Sequence, residues 1–169
     1  MRELRDIDYL QECNGLTEAV YLLEQRLTAG CTDKGTVLRL LFLYWFFLTE
    51  PAYLTNNRTN RDWRSCFANL VRIADDRFSG DSDYYWVLGY LLCFFPEEEQ
   101  LRTEGKALIA RAIELAPDDP LPKLALDQVD GKHDPINYPA DKIDRLSDWG
   151  PVLGDYFRQI FRRDVFDQA

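Results

Sequence analysis

Residues 84–117 read YYWVLGYLLCFFPEEEQLRTEGKALIARAIELAP, and this stretch decides the fold. Large apolar side chains fill its first half around a single Gly89, while Gly105, Ala107, Ala110, Ala112 and Ala116 stud its second half. Small residues let two helix backbones approach closely enough for bulky neighbours to interdigitate. The stretch therefore predicts a helical hairpin, with helices over about 82–95 and 97–116. Pro96 suits a first-turn position, and Glu97, Glu98 and Glu99 suit the positive end of a helix dipole. Pro117 closes the hairpin, and Asp118 and Asp119 are placed to cap a following helix over about 120–128.

The same grammar extends in both directions. A first helix is expected over Leu4–Cys13, ending at the turn pair Asn14-Gly15. In the second, over Leu16–Thr28, Leu16, Ala19, Val20, Leu23 and Leu27 step by three and four. Gly30 falls where a left-handed C-terminal cap belongs. Thr32 or Asp33 can cap the third helix, carried by Val37–Leu48. That run is apolar almost all round and should be covered on several sides. Its aromatics also suit a buried strand, but its length and helical neighbours favour a helix. Glu50-Pro51 stops it. Asp62–Phe78 forms one stripe of Trp63, Phe67, Leu70, Val71, Ala74 and Phe78, ended by Ser79-Gly80-Asp81. Residues 129–140 read as a loop rich in turn formers. Asp141–Trp149 reads as a short helix stopped by Gly150-Pro151, and Val152–Phe166 as the last helix. The chain is expected to be all-α and a single domain: hairpins over 1–80, the hairpin and its following helix over 81–128, the loop, and C-terminal helices over 141–169.

A chain of 169 residues can bury a real core, and aromatics supply 14% of it. With 29% charged residues the composition is globular. The net charge of −9 argues against a nucleic-acid partner or an anionic membrane surface, and favours a basic protein partner. Acidity for solubility alone is the plainer explanation of the same number. Cys13, Cys31, Cys66 and Cys93 form no C-x-x-C pair; buried small hydrophobes in a reducing compartment account for them. The first residues contain no apolar signal core, and the run over 37–48 is too short to span a bilayer. A cytoplasmic location follows as the expectation.

Catalytic and metal signatures are sparse, and no cofactor is expected. His133 sits alone in a turn-rich segment, where an exposed loop histidine is the simplest reading. Zinc-ligand spacings and the G-x-x-x-x-G-K-S/T, G-x-G-x-x-G and G-x-S-x-G motifs are absent from the sequence. The carboxylate clusters Asp75-Asp76, Asp81 with Asp83, Glu97–Glu99 and Asp118-Asp119 each fall at a helix end, where capping explains them. Two of them, at opposite ends of one helix of about 20 Å, could instead flank a basic partner. Arg58, Arg61 and Arg64 near Trp63 could contact RNA, but salt bridges to Asp62 and nearby carboxylates are the simpler expectation. Three consecutive aromatics, Tyr84, Tyr85 and Trp86, point in three directions, so at least one should approach the surface. Tyr53 is a further interface candidate. The candidate partner-binding set is thus Tyr53, Asp81, Asp83, Tyr84, Tyr85, Glu97, Glu98, Glu99, Asp118 and Asp119.

The segment Tyr85–Pro120 resembles a tetratricopeptide repeat. The matching residues are Tyr85, Leu88-Gly89, Gly105, Ala112 and Pro117; Leu92 stands where the pattern has a tyrosine, and the interhelical turn is about four residues longer. The resemblance covers about a fifth of the chain and implies stacked antiparallel hairpins, in a short right-handed solenoid or an irregular bundle, that bind proteins without catalysis. In size and charge the chain is also similar to bacterial toxin-immunity proteins, which implies neutralisation of a basic toxin domain. A peptide-binding adaptor or chaperone is the alternative, with a carboxylate-based metal enzyme behind it.

Overall fold

Asp33, Asp62, Asp81 and Asp119 each stand immediately before a helix, and each carboxylate accepts a backbone amide of the first turn. The donors are Thr36 N at 2.9 Å, Ser65 N at 3.0 Å, Tyr84 N at 3.0 Å and Leu121 N at 3.2 Å. Four helix starts are thereby fixed by one device, the aspartate N-cap. The computed structural model describes residues 4–13, 15–51, 55, 59–95, 98–132 and 143–161. Among them are helices α1 (Leu4–Glu12), α2 (Leu16–Thr28), α3 (Lys34–Thr49), α4 (Trp63–Phe78), α5 (Ser82–Cys93), α6 (Glu99–Leu115), α7 (Pro120–Val129) and α8 (Pro151–Phe161), with a 3-10 helix over Arg145–Trp149 and no strand. The protein is all-α. It divides into two compact units, Met1–Ser79 with Trp149–Leu153, and Gly80–Asp148 with Gly154–Ala169.

In the first unit α3 is the centre. Every residue from Thr36 to Trp45 is buried, as its all-round apolar sequence requires, and the strand alternative is excluded. α2 and α4 pack on it, the latter through Trp63, whose ring lies 4.7 Å from Phe47 and 5.8 Å from Tyr44. The one charge inside α3, Arg39, is held from two directions. Its Nη1 lies 2.9 Å from Asp8 of α1, and its Nε donates to the Trp149 carbonyl at 2.8 Å. Gly150 follows in a left-handed conformation, φ +88°, and a Cβ there would stand 2.7 Å from Arg39 Nε. Glycine is thus required twice over, by backbone angle and by the guanidinium against it.

In the second unit α5 and α6 form the expected hairpin. Cys93 Sγ faces the Arg102 carbonyl, Gly89 faces Gly105 and Ile109, and Ser82 Oγ donates to the Ala112 carbonyl at 3.0 Å. The rising and falling numbers make the pair antiparallel. A Cβ on Gly89 would lie 2.5 Å from the Gly105 carbonyl oxygen, and one on Gly105 would overlap the Gly89 carbonyl. The seam on α6 is Gly105, Ile109 and Ala112, whereas Ala107 and Ala110 face solvent. Both lie off the i, i+4, i+7 stripe that contact demands. α7 packs against both helices of the hairpin, and Trp86 meets Phe157 of α8 edge-on at 4.8 Å.

Some boundaries differ from expectation. α5 stops at Cys93, because Phe94 N and Phe95 N turn back to the carbonyls of Leu91 and Leu92 in a tighter coil. The expected helix over 141–149 is α-helical at Ile143 and Asp144 and continues as a 3-10 helix over Arg145–Trp149, with Asp141 and Lys142 outside the described residues. α8 is described to Phe161, and the expected extension to Phe166 lies outside the described residues.

Gly105→Ala should destabilise the protein by about 1–3 kcal/mol, read by chemical denaturation, since the new methyl must push two backbones apart. Ala107→Ser, on the exposed side of the same helix, should stay within about 0.5 kcal/mol. Equal losses at the two positions would refute the seam. Asp33 gives a pH-dependent counterpart. Burial pushes its pKa up, but hydrogen bonds from the Thr36 hydroxyl and amide, with Arg26 nearby, hold it below 3.8. A depressed carboxylate contributes stability above its unfolded pKa and loses it as pH falls through the folded value. Asp33→Ala should therefore cost about 1 kcal/mol near neutral pH, and the difference should shrink as the pH drops below about 3.8. A difference that persists unchanged into acid would contradict this account.

Candidate functional site

α5 is 12 residues long, about 18 Å at 1.5 Å per residue, with Asp81 and Asp83 at its N-terminal end and Glu98 and Glu99 past its C-terminal end. Their environments differ. At the N-terminal end the carboxylates are occupied internally. Asp81 caps α5, Asp119 caps α7, and Arg145 bridges Asp83, at 3.1 Å, to Asp119. Trp86 Nε1 also points at Asp83 Oδ1, 3.4 Å away. Two of the candidate residues, Asp83 and Asp119, are therefore drawn together, but around an arginine of this chain. Asp118 alone of that group is exposed.

The aromatic triplet divides. Tyr84 and Trp86 are fully buried, and Tyr85 is half-buried. The expectation of Tyr84 as a surface anchor is corrected: α5 is covered by α6, α7 and the aromatic side of α8, so little of its circumference reaches solvent.

At the C-terminal end of α5 the surface is different. Phe94 is 41% exposed, its ring resting 4.7 Å from that of Tyr90. Glu98 is half-buried and Glu99 exposed, at the first turn of α6. Cys93, Phe95, Glu98, Glu99 and Arg102 line a shallow concavity of about 300 Å³. Arg102 is anchored there by donating to the Val129 carbonyl at 3.2 Å. Burial pushes the Cys93 thiol up to about 11, so near neutral pH it is a protonated, poorly nucleophilic group. Tyr53, Glu97, Arg58 and His133 lie outside the described residues.

The arginine near Trp63 finds a partner other than the one expected. Asp62 is taken up by Ser65 at the α4 N-terminus, and Arg61 instead forks onto Glu24 of α2, Nη1 to Oε2 at 2.9 Å and Nη2 to Oε1 at 2.5 Å. Its guanidinium also lies 5.0 Å from the centre of the Trp63 ring, and the Tyr44 hydroxyl donates to Glu24 Oε1 at 2.5 Å. A residue so engaged is a poor reader of RNA. Of the cysteines only Cys93 is buried; Cys31 and Cys66 are half-buried and Cys13 is exposed. Two exposed aromatics escaped the sequence reading, Tyr9 and Tyr21, which stand off the apolar stripes of α1 and α2. Their signal was present: each falls outside its helix's three-and-four spacing.

Among the described residues no three His, Cys, Asp or Glu side chains are grouped as a metal site, and no helix is long and apolar enough to cross a membrane. No family model, no curated protein and no solved structure matches the chain.

Native protein treated with iodoacetamide at about pH 8 should be modified at exposed Cys13 and spared at Cys93, whose thiol is buried and its pKa pushed up. Rapid labelling of Cys93, read by peptide mass spectrometry, would contradict its buried, protonated state.

Proposed function

We propose that this protein acts by binding another protein in fixed proportion, and most concretely that it is an immunity protein which neutralises a basic, cognate bacterial toxin domain. The observation that carries the reading is the end of α5, where exposed Phe94 lies between Cys93 and Phe95, which with Glu98, Glu99 and Arg102 line a shallow concavity. Such surfaces combine desolvated contact at the centre with charge at the edge. The antiparallel α5–α6 hairpin with α7 packed on both of its helices supports the tetratricopeptide-like part of the reading, since stacked repeats are built from that unit. The net charge of −9 supports a basic partner, steered in by long-range attraction before the close contacts form.

The test is co-expression with a toxin-like domain encoded beside this chain. The account expects restored growth, a one-to-one complex on size exclusion, and an association rate falling roughly tenfold between about 50 and about 500 mM salt. Glu99→Lys should slow association while leaving the fold intact. Growth arrest undiminished by the protein, with no complex formed, would overturn the inhibitor reading; a salt-insensitive rate would remove the steering mechanism.

A further inference from the structure

The first two helices repeat one pattern, of which the fold engages Glu24, through Tyr44 and Arg61. α1 contains Asp6-Ile7-Asp8-Tyr9-Leu10-Gln11-Glu12, and α2 contains Glu18-Ala19-Val20-Tyr21-Leu22-Leu23-Glu24. In both, a tyrosine has a carboxylate three residues before it and another three after, the spacing that sets side chains on one helix face. Tyr9 is 65% exposed and Tyr21 58%, the largest exposures among the large hydrophobics of the described residues. Asp6, Glu12 and Glu18 are exposed with them. Beyond Tyr21, a groove of about 410 Å³ runs along α2, lined by Tyr21, Glu24, Gln25, Thr28 and Ala29. Exposed tyrosines flanked by acids are suited to a cation, whose charge meets the carboxylates while its face meets the ring.

The protein itself shows which cation this chemistry selects. Arg61 uses the last carboxylate of the α2 pattern, Glu24, as a two-pronged acceptor, and lays its guanidinium over Trp63 and near Tyr44. A planar fork matches a carboxylate bidentately and stacks on an aromatic ring, which an ammonium does not. We infer that α1 and α2 each present a docking strip for arginine side chains of a basic protein partner, with Tyr9 and Tyr21 as the stacking platforms and Asp6, Glu12 and Glu18 as the acceptors. The inference rests on the reading of this chain as a protein-binding molecule and names the chemistry of the partner.

The probe is a flexible arginine–glycine repeat peptide, titrated into the full-length 15N-labelled protein and followed by backbone amide shifts. Saturable shifts should concentrate on Asp6–Glu12 and Glu18–Thr28, and the lysine–glycine counterpart should bind several-fold more weakly. Tyr9→Ala combined with Tyr21→Ala should weaken binding by about tenfold, the loss expected for two stacking contacts of about 0.7 kcal/mol each. Both tyrosines are exposed, so an otherwise unchanged spectrum verifies the fold of the variant. Shifts spread evenly over every acidic surface, or an affinity untouched by the double substitution, would overturn the inference. Shifts confined to Phe94, Glu98 and Glu99 would also overturn it while leaving the inhibitor reading in place. A failed co-expression experiment beside a positive peptide titration would do the reverse.

Discussion

The Gly89–Gly105 contact brings two helix backbones closer than any side chain would allow, and the packing of the second unit is organised around it. Close approach lets Ile109 reach across to Gly89 and Cys93 Sγ reach the backbone of Gly105 and Arg102. It also aligns Ser82 with the Ala112 carbonyl, which ties the open end of the hairpin. With α5 and α6 locked in register, α7 has a fixed surface to pack on, and Lys106 of α6 reaches Asp130 just past the end of α7, 2.6 Å away. Phe94 and the pair Glu98 and Glu99 lie at the adjoining ends of these two helices, so the placement of the candidate surface descends from two missing side chains.

Charge is sorted by the same fold. Many carboxylates of this acidic chain are occupied within it. Asp33, Asp62, Asp81 and Asp119 cap helices, Glu24 receives Arg61, Asp8 faces Arg39, and Asp83 joins Asp119 at Arg145. Capping and internal ion pairs give these groups structural roles, although the caps Asp33 and Asp62 are exposed. Asp6, Glu12, Glu18, Glu99 and Asp118 are directed outward. A net charge quoted for the whole chain says nothing of this division, which is why composition alone suggests a basic partner and cannot locate its contact.

Much of the architecture was legible because it is local. Helix α2 begins and ends where its three-and-four spacing does, and α3 is buried over the run that is apolar on every side. Gly89 and Gly105 announced a close approach, because few other roles explain glycine inside a helix. What escaped prediction depends on distant partners. Glu24 and Arg61 are 37 residues apart, and nothing near either one marks the pair. Tyr84 looked like a candidate for the surface because the aromatic ring of Phe157, far along the chain, could not be placed beside its helix in advance. Ala107 and Ala110 were read with the seam on residue type, although the helical period sends them outward. Tyr9 and Tyr21 were available to the same arithmetic and were overlooked beside the longer aromatic run in α5.

The most direct measurement is a double-mutant cycle on Gly89→Ala and Gly105→Ala by chemical denaturation. If the two backbones meet as described, one methyl already forces the helices apart, and the second then adds little. The double variant should be less destabilised than the sum of the single ones by at least about 1 kcal/mol. Losses that simply add would mean the two glycines lie in separate environments, and the hairpin seam on which this account stands would be wrong.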